Sequence, residues 1–448
     1  MMTTKQMNRR LSALVLAATV GMGACGGDLF DVKNPGKILD EDLNTAEGVK
    51  ALVTGMSADF SVGYDGVSFL GARLGDEMAG SGSYFTTGRY RRGLMDSEDA
   101  DGYWNDVQRA RWVAEAGLQR MEAIEGFQFQ GNRQTAKAFL HAGLANRWFG
   151  ENFCEVLFSA PFESDDGTAQ PKSAAFQRAV PELENAISHG TSAGATDIVT
   201  AAHGALASVL AWLGDWSGAM THAAQVPTDF EWDAVYSANS GRENNQIWNE
   251  THGRFEISAY GALAGSFPEP GDPRAPYTDC SNPANNCAGA NGADGQTPHY
   301  RQEKYPERGS DIPLVKGTEM RLLEAENALL QNDLATFTAK INEVRTYHGL
   351  APLTGITMTP GASISGDPGG AGPNRTSMEA WDVLDRERHL TNWLEGRRLW
   401  DLHRWDHPFL NGGGIVYQAT VDRRASCIPI ADQECQTNPN VATKCFTS

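Results

Sequence analysis

The densest chemistry in this chain lies between Arg386 and Trp405, where eight charged side chains share twenty residues with three tryptophans and four leucines. That mixture is too apolar for a solvated helix. Glu387, Glu395 and Asp401 stand within reach of Arg388, Arg398 and Arg404, along one helix or across to its neighbours, so the spacing predicts a partly buried ion network. Two other stretches combine flat rings with hydrogen-bonding groups: Asp76 to Tyr90, with Tyr84, Phe85 and Arg89, and Trp248 to Tyr305, with Tyr260, Phe267, Tyr277 and Tyr300. Rings flanked by Asp, Asn and Arg suit a ligand that offers apolar faces and hydroxyls. Catalysis has no comparable signal. Neither H-E-x-x-H nor a P-loop occurs, and no carboxylate spacing singles out a glycosidase pair. His403 and His407 run into Pro408 and read as helix-end and surface side chains, not metal ligands. Asp99, Asp101 and Gly102 echo a calcium loop without its closing Glu and read as a solvated helix start.

The elements that must position these residues are mainly helical. The chain has 448 residues, 41% of them hydrophobic, enough for a large core, and its 37 basic against 56 acidic groups argue against a phosphate-seeking nucleic-acid binder. Helical periodicity runs over about 101–125, 132–151, 173–188, 197–213, 215–225, 318–331, 333–349 and 377–405, and Asn44 with Glu47 resembles a capping box opening a further helix with Val49, Leu52, Val53 and Met56 on one face. Residues 61–99 show no period and read as a long exposed loop. Further long loops are expected at 265–317 and 350–376. Trp104, Trp112, Trp148, Trp212, Trp216 and Trp381 sit in helical periodicity and read as core.

Ala201–Met220 and Arg321–Arg345 share one plan. A helix ends at Gly214 or Asn332, an Asp follows at 215 or 333, and a second helix begins, a pattern resembling tetratricopeptide pairs.

At the front, Lys5, Arg9 and Arg10 precede the apolar run Leu11–Ala24, the layout of a secretory leader, and no later run approaches the ~20 apolar residues of a membrane-spanning helix. Met22-Gly23-Ala24-Cys25 resembles a lipobox, which makes residues 1–24 a lipoprotein signal peptide, Cys25 the lipid-bearing N-terminus and 25–40 a tether. Residues 41–448 then form a single helical domain. Six cysteines besides Cys25 suit disulfides outside the cytoplasm, with Cys280–Cys287 and Cys427–Cys435 the expected local pairs.

The Arg386–Trp405 segment resembles the C-terminal signature of the SusD/RagB family through Glu387-Arg388, Glu395-Gly396, Arg398, Asp401-Leu402 and Arg404, with Thr391 where the family usually carries another Glu. Asp28–Pro35 is similar to the family's opening, Leu322–Leu329 with Ile341–Arg345 to its last helix pair, and Ile428-Pro429-Ile430, Glu434 and Asn438-Pro439-Asn440 to its closing pattern. The resemblance implies a mainly α, SusD-like fold of tetratricopeptide-type pairs carrying a loop-rich binding face. It also implies an outer-membrane, lipid-anchored protein facing the exterior. Such a protein captures an oligosaccharide or other oligomeric nutrient and passes it, chemically unchanged and without a cofactor, to a SusC-like TonB-dependent barrel. Asp76, Tyr84, Phe85, Arg89, Tyr90, Trp248 and Tyr277 are the expected ligand contacts; the Asp76–Tyr90 stretch corresponds to the family's N-terminal ligand loop. A surface structural or adhesion protein on the same scaffold, or a secreted glycan hydrolase, are the alternatives.

Overall fold

The computed structural model describes residues 40–158, 167–266, 272–367, 369–411 and 423–445. The leader, Cys25, Phe267 and all of the tether but Asp40 lie outside them. A 3-10 turn, Asp40–Asn44, belongs to a first unit that ends at Asn44; the second unit, Thr45–Ser448, holds the α-helices and the strands.

The main helices are α1 (Val49–Leu74), α2 (Phe85–Arg91), α3 (Ser97–Glu122), α4 (Arg133–Asn152), α5 (Ser173–Ser192) and α6 (Thr196–Trp212). They continue with α7 (Trp216–Ala223), α8 (Gly317–Leu330), α9 (Leu334–Tyr347), α10 (Ala380–Thr391), α11 (Arg398–Arg404) and α12 (Asp432–Thr437). Consecutive helices from α3 to α7 pack on one another, as do α8 and α9. The two repeat-like segments fold as α6–α7 and α8–α9. In each break a left-handed residue, Gly214 at φ 86° or Asn332 at φ 57°, turns the chain. The following Asp215 or Asp333 then accepts from the N–H of Gly218 (2.9 Å) or Thr336 (3.0 Å), capping the next helix. Small residues set the spacing between helices: a Cβ added at Gly143 of α4 would stand 2.5 Å from the Leu183 side chain of α5.

Residues 61–99 are not the expected exposed loop. α1 continues through Leu74, α2 occupies Phe85–Arg91, and only short connections remain. The second half of α1 has no hydrophobic period because it is enclosed on nearly every side, with Tyr64, Val67, Ser68, Phe69, Leu70 and Arg73 all buried. Its glycines admit neighbours instead of breaking it: a Cβ at Gly63 would lie 2.8 Å from the Trp148 ring. The start of α1 also differs, since Thr45, not Asn44, offers the side-chain oxygen, to the Gly48 N–H at 3.0 Å.

The helix expected over 377–405 is two helices, α10 and α11, separated by a turn in which Leu394 (φ 59°) and Gly396 (φ 69°) are left-handed. A Cβ at Gly396 would come within 2.6 Å of Ser68 Oγ, so both dihedral and space demand glycine there. Trp104 and Trp148 are core residues, while Trp112, Trp212, Trp216 and Trp381 are half-buried.

Strands are short: β1 (Ala79–Gly80), β2 (Glu231–Ala234), β3 (Ile257–Ser258), β4 (Tyr277–Asp279), β5 (Tyr300–Gln302) and β6 (Ile312–Lys316). β1 pairs antiparallel with β3, β4 with β5, and β2 with β6. The Ala259 N–H donates to Tyr300 O at 2.8 Å and the Tyr300 N–H to Ser258 Oγ at 2.8 Å, so the two-stranded β1–β3 and β4–β5 sheets adjoin as a ribbon of two pairs.

Among the described residues, three disulfides close the chain. Cys280 is joined to Cys287 across its turn. The expected Cys427–Cys435 pair does not form: Cys427 is bonded to Cys154 and Cys435 to Cys445. The reason is tertiary, since Ile428 bridges to Phe153 beside α4 and carries Cys427 with it, away from α12.

Candidate ligand-binding face

The face rests on a frame of buried ion pairs built by the Arg386–Trp405 segment. Arg388 holds Asp401 through two hydrogen bonds, at 2.9 and 3.1 Å, and Arg404 bridges Asp401 (2.8 Å) to Glu326 on α8. Glu387 lies between Arg274 (2.5 Å) and Arg345 (2.9 Å), and Glu395 between Lys304 (2.6 Å) and Lys316 (2.7 Å). Arg398 is clamped between Asp76 (2.6 Å) and Asp385 (2.5 Å), and its charge holds both carboxyls well below the usual range despite their burial. Thr391, at the position of the missing acid, accepts from Arg274 at 3.3 Å and so still serves the network. The turn between α10 and α11 is satisfied by Glu77, whose Oε1 accepts the Leu394 N–H at 2.7 Å; burial pushes this carboxyl up to about 8. His407 is buried, not a surface side chain, and its Nε2 lies 3.2 Å from Asp385.

Over this frame the two ring-bearing stretches meet. The β1–β3 pairing brings residues 79–91 against 254–258. Ser81 Oγ donates to Phe255 O (3.0 Å), the Asp294 N–H to Ser81 O (2.9 Å), and buried Glu256 accepts from Ser83 and Thr87 hydroxyls, each at 3.4 Å. Two features emerge at the surface. Phe85 is 81% exposed at the start of α2, with the Arg254 guanidinium 4.7 Å above the neighbouring Tyr84 ring. Along the ribbon, Tyr277 stacks flat on Tyr300 (5.2 Å, 7°), and Tyr260 meets Tyr300 edge-on at 5.0 Å. An exposed apolar ring and a stacked tyrosine pair, each beside polar groups, can hold a ligand through its ring faces.

The other expected contacts are placed differently. Asp76 is committed to Arg398, Tyr90 is buried, and Arg89 is tied to Asp96 (2.6 Å) and Asp99 (3.1 Å) at the capping box that opens α3. The Trp248 ring is already stacked on His252 at 5.8 Å, lies under Arg308 at 5.0 Å, and donates its indole N–H to Pro306 O. Arg254, Glu256 and Asp294 escaped sequence reading because their only signal is contact with a segment some 170 or more positions away. Gly190-Thr-Ser-Ala-Gly194 spells a nucleophile elbow, yet it closes α5 instead of joining strand to helix, and Ser192 Oγ donates to Ser188 O.

Residues 295–442 match the sequence model of the SusD family. The chain also shares its fold with solved structures at low identity. A SusD-like protein from Bacteroides fragilis is 13% identical, with 90% of this chain and 97% of that one covered at a TM-score of 0.64. A SusD-like carbohydrate binding protein from Bacteroides vulgatus is 14% identical (90% and 98% covered, TM-score 0.61). A laminarin binding SusD-like protein is 16% identical (87% and 97%, 0.61). None of the curated proteins compared matches in sequence. Residues 295–442 thus match the SusD family in sequence, and nearly all of the chain shares the fold of the SusD-like structures.

Proposed function

We propose that the protein is a cell-surface binding lipoprotein, anchored through Cys25 to the outer membrane, that captures an oligosaccharide and hands it to a SusC-like TonB-dependent barrel. The observations that carry this reading are exposed Phe85, beside Tyr84 and Arg254, and the Tyr277–Tyr300 stack on the β4–β5 pair. Sugar rings present apolar C–H faces to such platforms, while half-exposed Arg254 is suited to hydroxyls at the edges. The likeness to a carbohydrate binding and a laminarin binding SusD-like protein supports the ligand class.

Calorimetry of the mature chain against a panel of soluble polysaccharides, laminarin included, tests the reading. One or more glycans should bind, and Phe85→Ala and Tyr277→Ala should each weaken binding at least tenfold with the melting temperature unchanged. Equal affinity in both variants would remove the face from the proposal. Co-purification with the barrel in detergent, lost on Cys25→Ala mislocalisation, tests the transporter step.

A further inference from the structure

A second cleft, of about 490 Å³, opens between the β2–β6 pair, the segments 273–276 and 303–305, and the end of α9. Its volume falls within the ~300–1,000 Å³ of small-molecule sites. Its lining carries charges of both signs. Glu395 Oε1 stands between the Lys304 and Lys316 ammonium groups, one carboxylate for two cations. Lys304 also donates to Trp393 O (2.7 Å) and Lys316 to Thr391 O (2.6 Å), which leaves each ammonium one of its three N–H groups. Nearby Arg274 is balanced by Asp272 and Glu387. The exposed carboxylates Glu231 and Asp311 also line the cleft, Asp311 accepting the Tyr236 N–H at 2.8 Å. The register places Glu231 directly opposite Lys316, where side chains start ~5 Å apart.

The local fields at His348 and Asp233 differ in sign. Burial, Arg274 and Lys316 push His348 down to about 4, whereas burial, Glu231 and Asp311 push Asp233 up to about 7. His348 Nε2 is buried without a hydrogen-bond partner among the described residues, and Tyr347, 51% exposed, supplies a ring at the same cleft.

We infer that this cleft binds a small zwitterion of amino-acid to dipeptide size. The ligand carboxylate lies toward Lys304 and Lys316, its ammonium toward Glu231 and Asp311, and an apolar side chain lies against Tyr347. Its lining includes none of Phe85, Tyr277 and Tyr300, and the inference does not depend on the glycan reading.

Calorimetry of the mature chain with glycyl-L-tyrosine at pH 7 and low salt tests it. Binding is expected, at least tenfold weaker for the N-acetylated dipeptide and for its C-terminal amide. The double variant Glu231→Gln, Asp311→Asn alters exposed side chains and leaves the lysines in place. It should lose at least tenfold for the dipeptide while keeping its melting temperature and its glycan affinity. No binding at millimolar dipeptide, or equal affinity for the blocked forms, overturns the inference. If the double variant loses the glycan as well, the two sites are not separate and the inference also fails.

Discussion

The signature segment and the aromatic face use the same side chains to opposite ends. In both, arginine meets a ring or a carboxylate. Arg398, 2% exposed, is locked between Asp76 and Asp385, while Arg254, 49% exposed, lies over Tyr84 with a weak 3.8 Å partner in Glu250. Burial decides the difference. A desolvated guanidinium must have its partners built in, so its bonding capacity is spent on the frame; a half-exposed one keeps capacity for a ligand at small cost in stability.

Breaking the frame should produce the largest effect. Arg388→Met leaves buried Asp401 with Arg404 as its remaining cationic partner and should destabilise the protein by up to about 3–5 kcal/mol in denaturant titration. Removing the Cys154–Cys427 bond, which ties α4 to the C-terminal segment across 273 positions, should cost about 2–5 kcal/mol. Loss of the Cys280–Cys287 bond, spanning 7 positions on the face, should cost less in the same assay. Phe85→Ala reverses the pattern: folding stability within about 0.5 kcal/mol of the parent, and glycan binding weaker by about 1.4 kcal/mol or more, which is the tenfold loss.

The smallest effect sharpens the comparison through pH. Glu77 has a folded pKa of about 8, above its unfolded value of 4.5, so its contribution is full below about pH 4.5 and is lost as the pH rises through 8. Glu77→Gln should therefore match the parent near pH 4 and exceed it at pH 9, read from melting curves. His389, pushed down to about 4 by burial, has the opposite sign: its contribution is present above pH 6.5 and disappears as the pH falls through 4.

Much of the fold was legible because helix breaks are local chemistry. Gly214-Asp215 and Asn332-Asp333 announced both helix pairs, since a left-handed residue followed by a side-chain acceptor ends one helix and starts the next. The second half of α1 was not legible, because periodicity reports a helix with one wet side and this one has almost none. The ion network was visible as residue types, but its outside partners were not: Asp76 looked like a ligand contact until Arg398 claimed it.

By itself the sequence determined the helical class, the helix-pair plan, the ion-forming segment and the two stretches of rings, all of which follow from residue type and short-range spacing. Tertiary structure alone decided which arginines are spent and which stay available, which cysteine Cys427 meets, and that β1 lies against β3. Those outcomes depend on which distant segments exclude water from one another, and no property of a single segment encodes its partner.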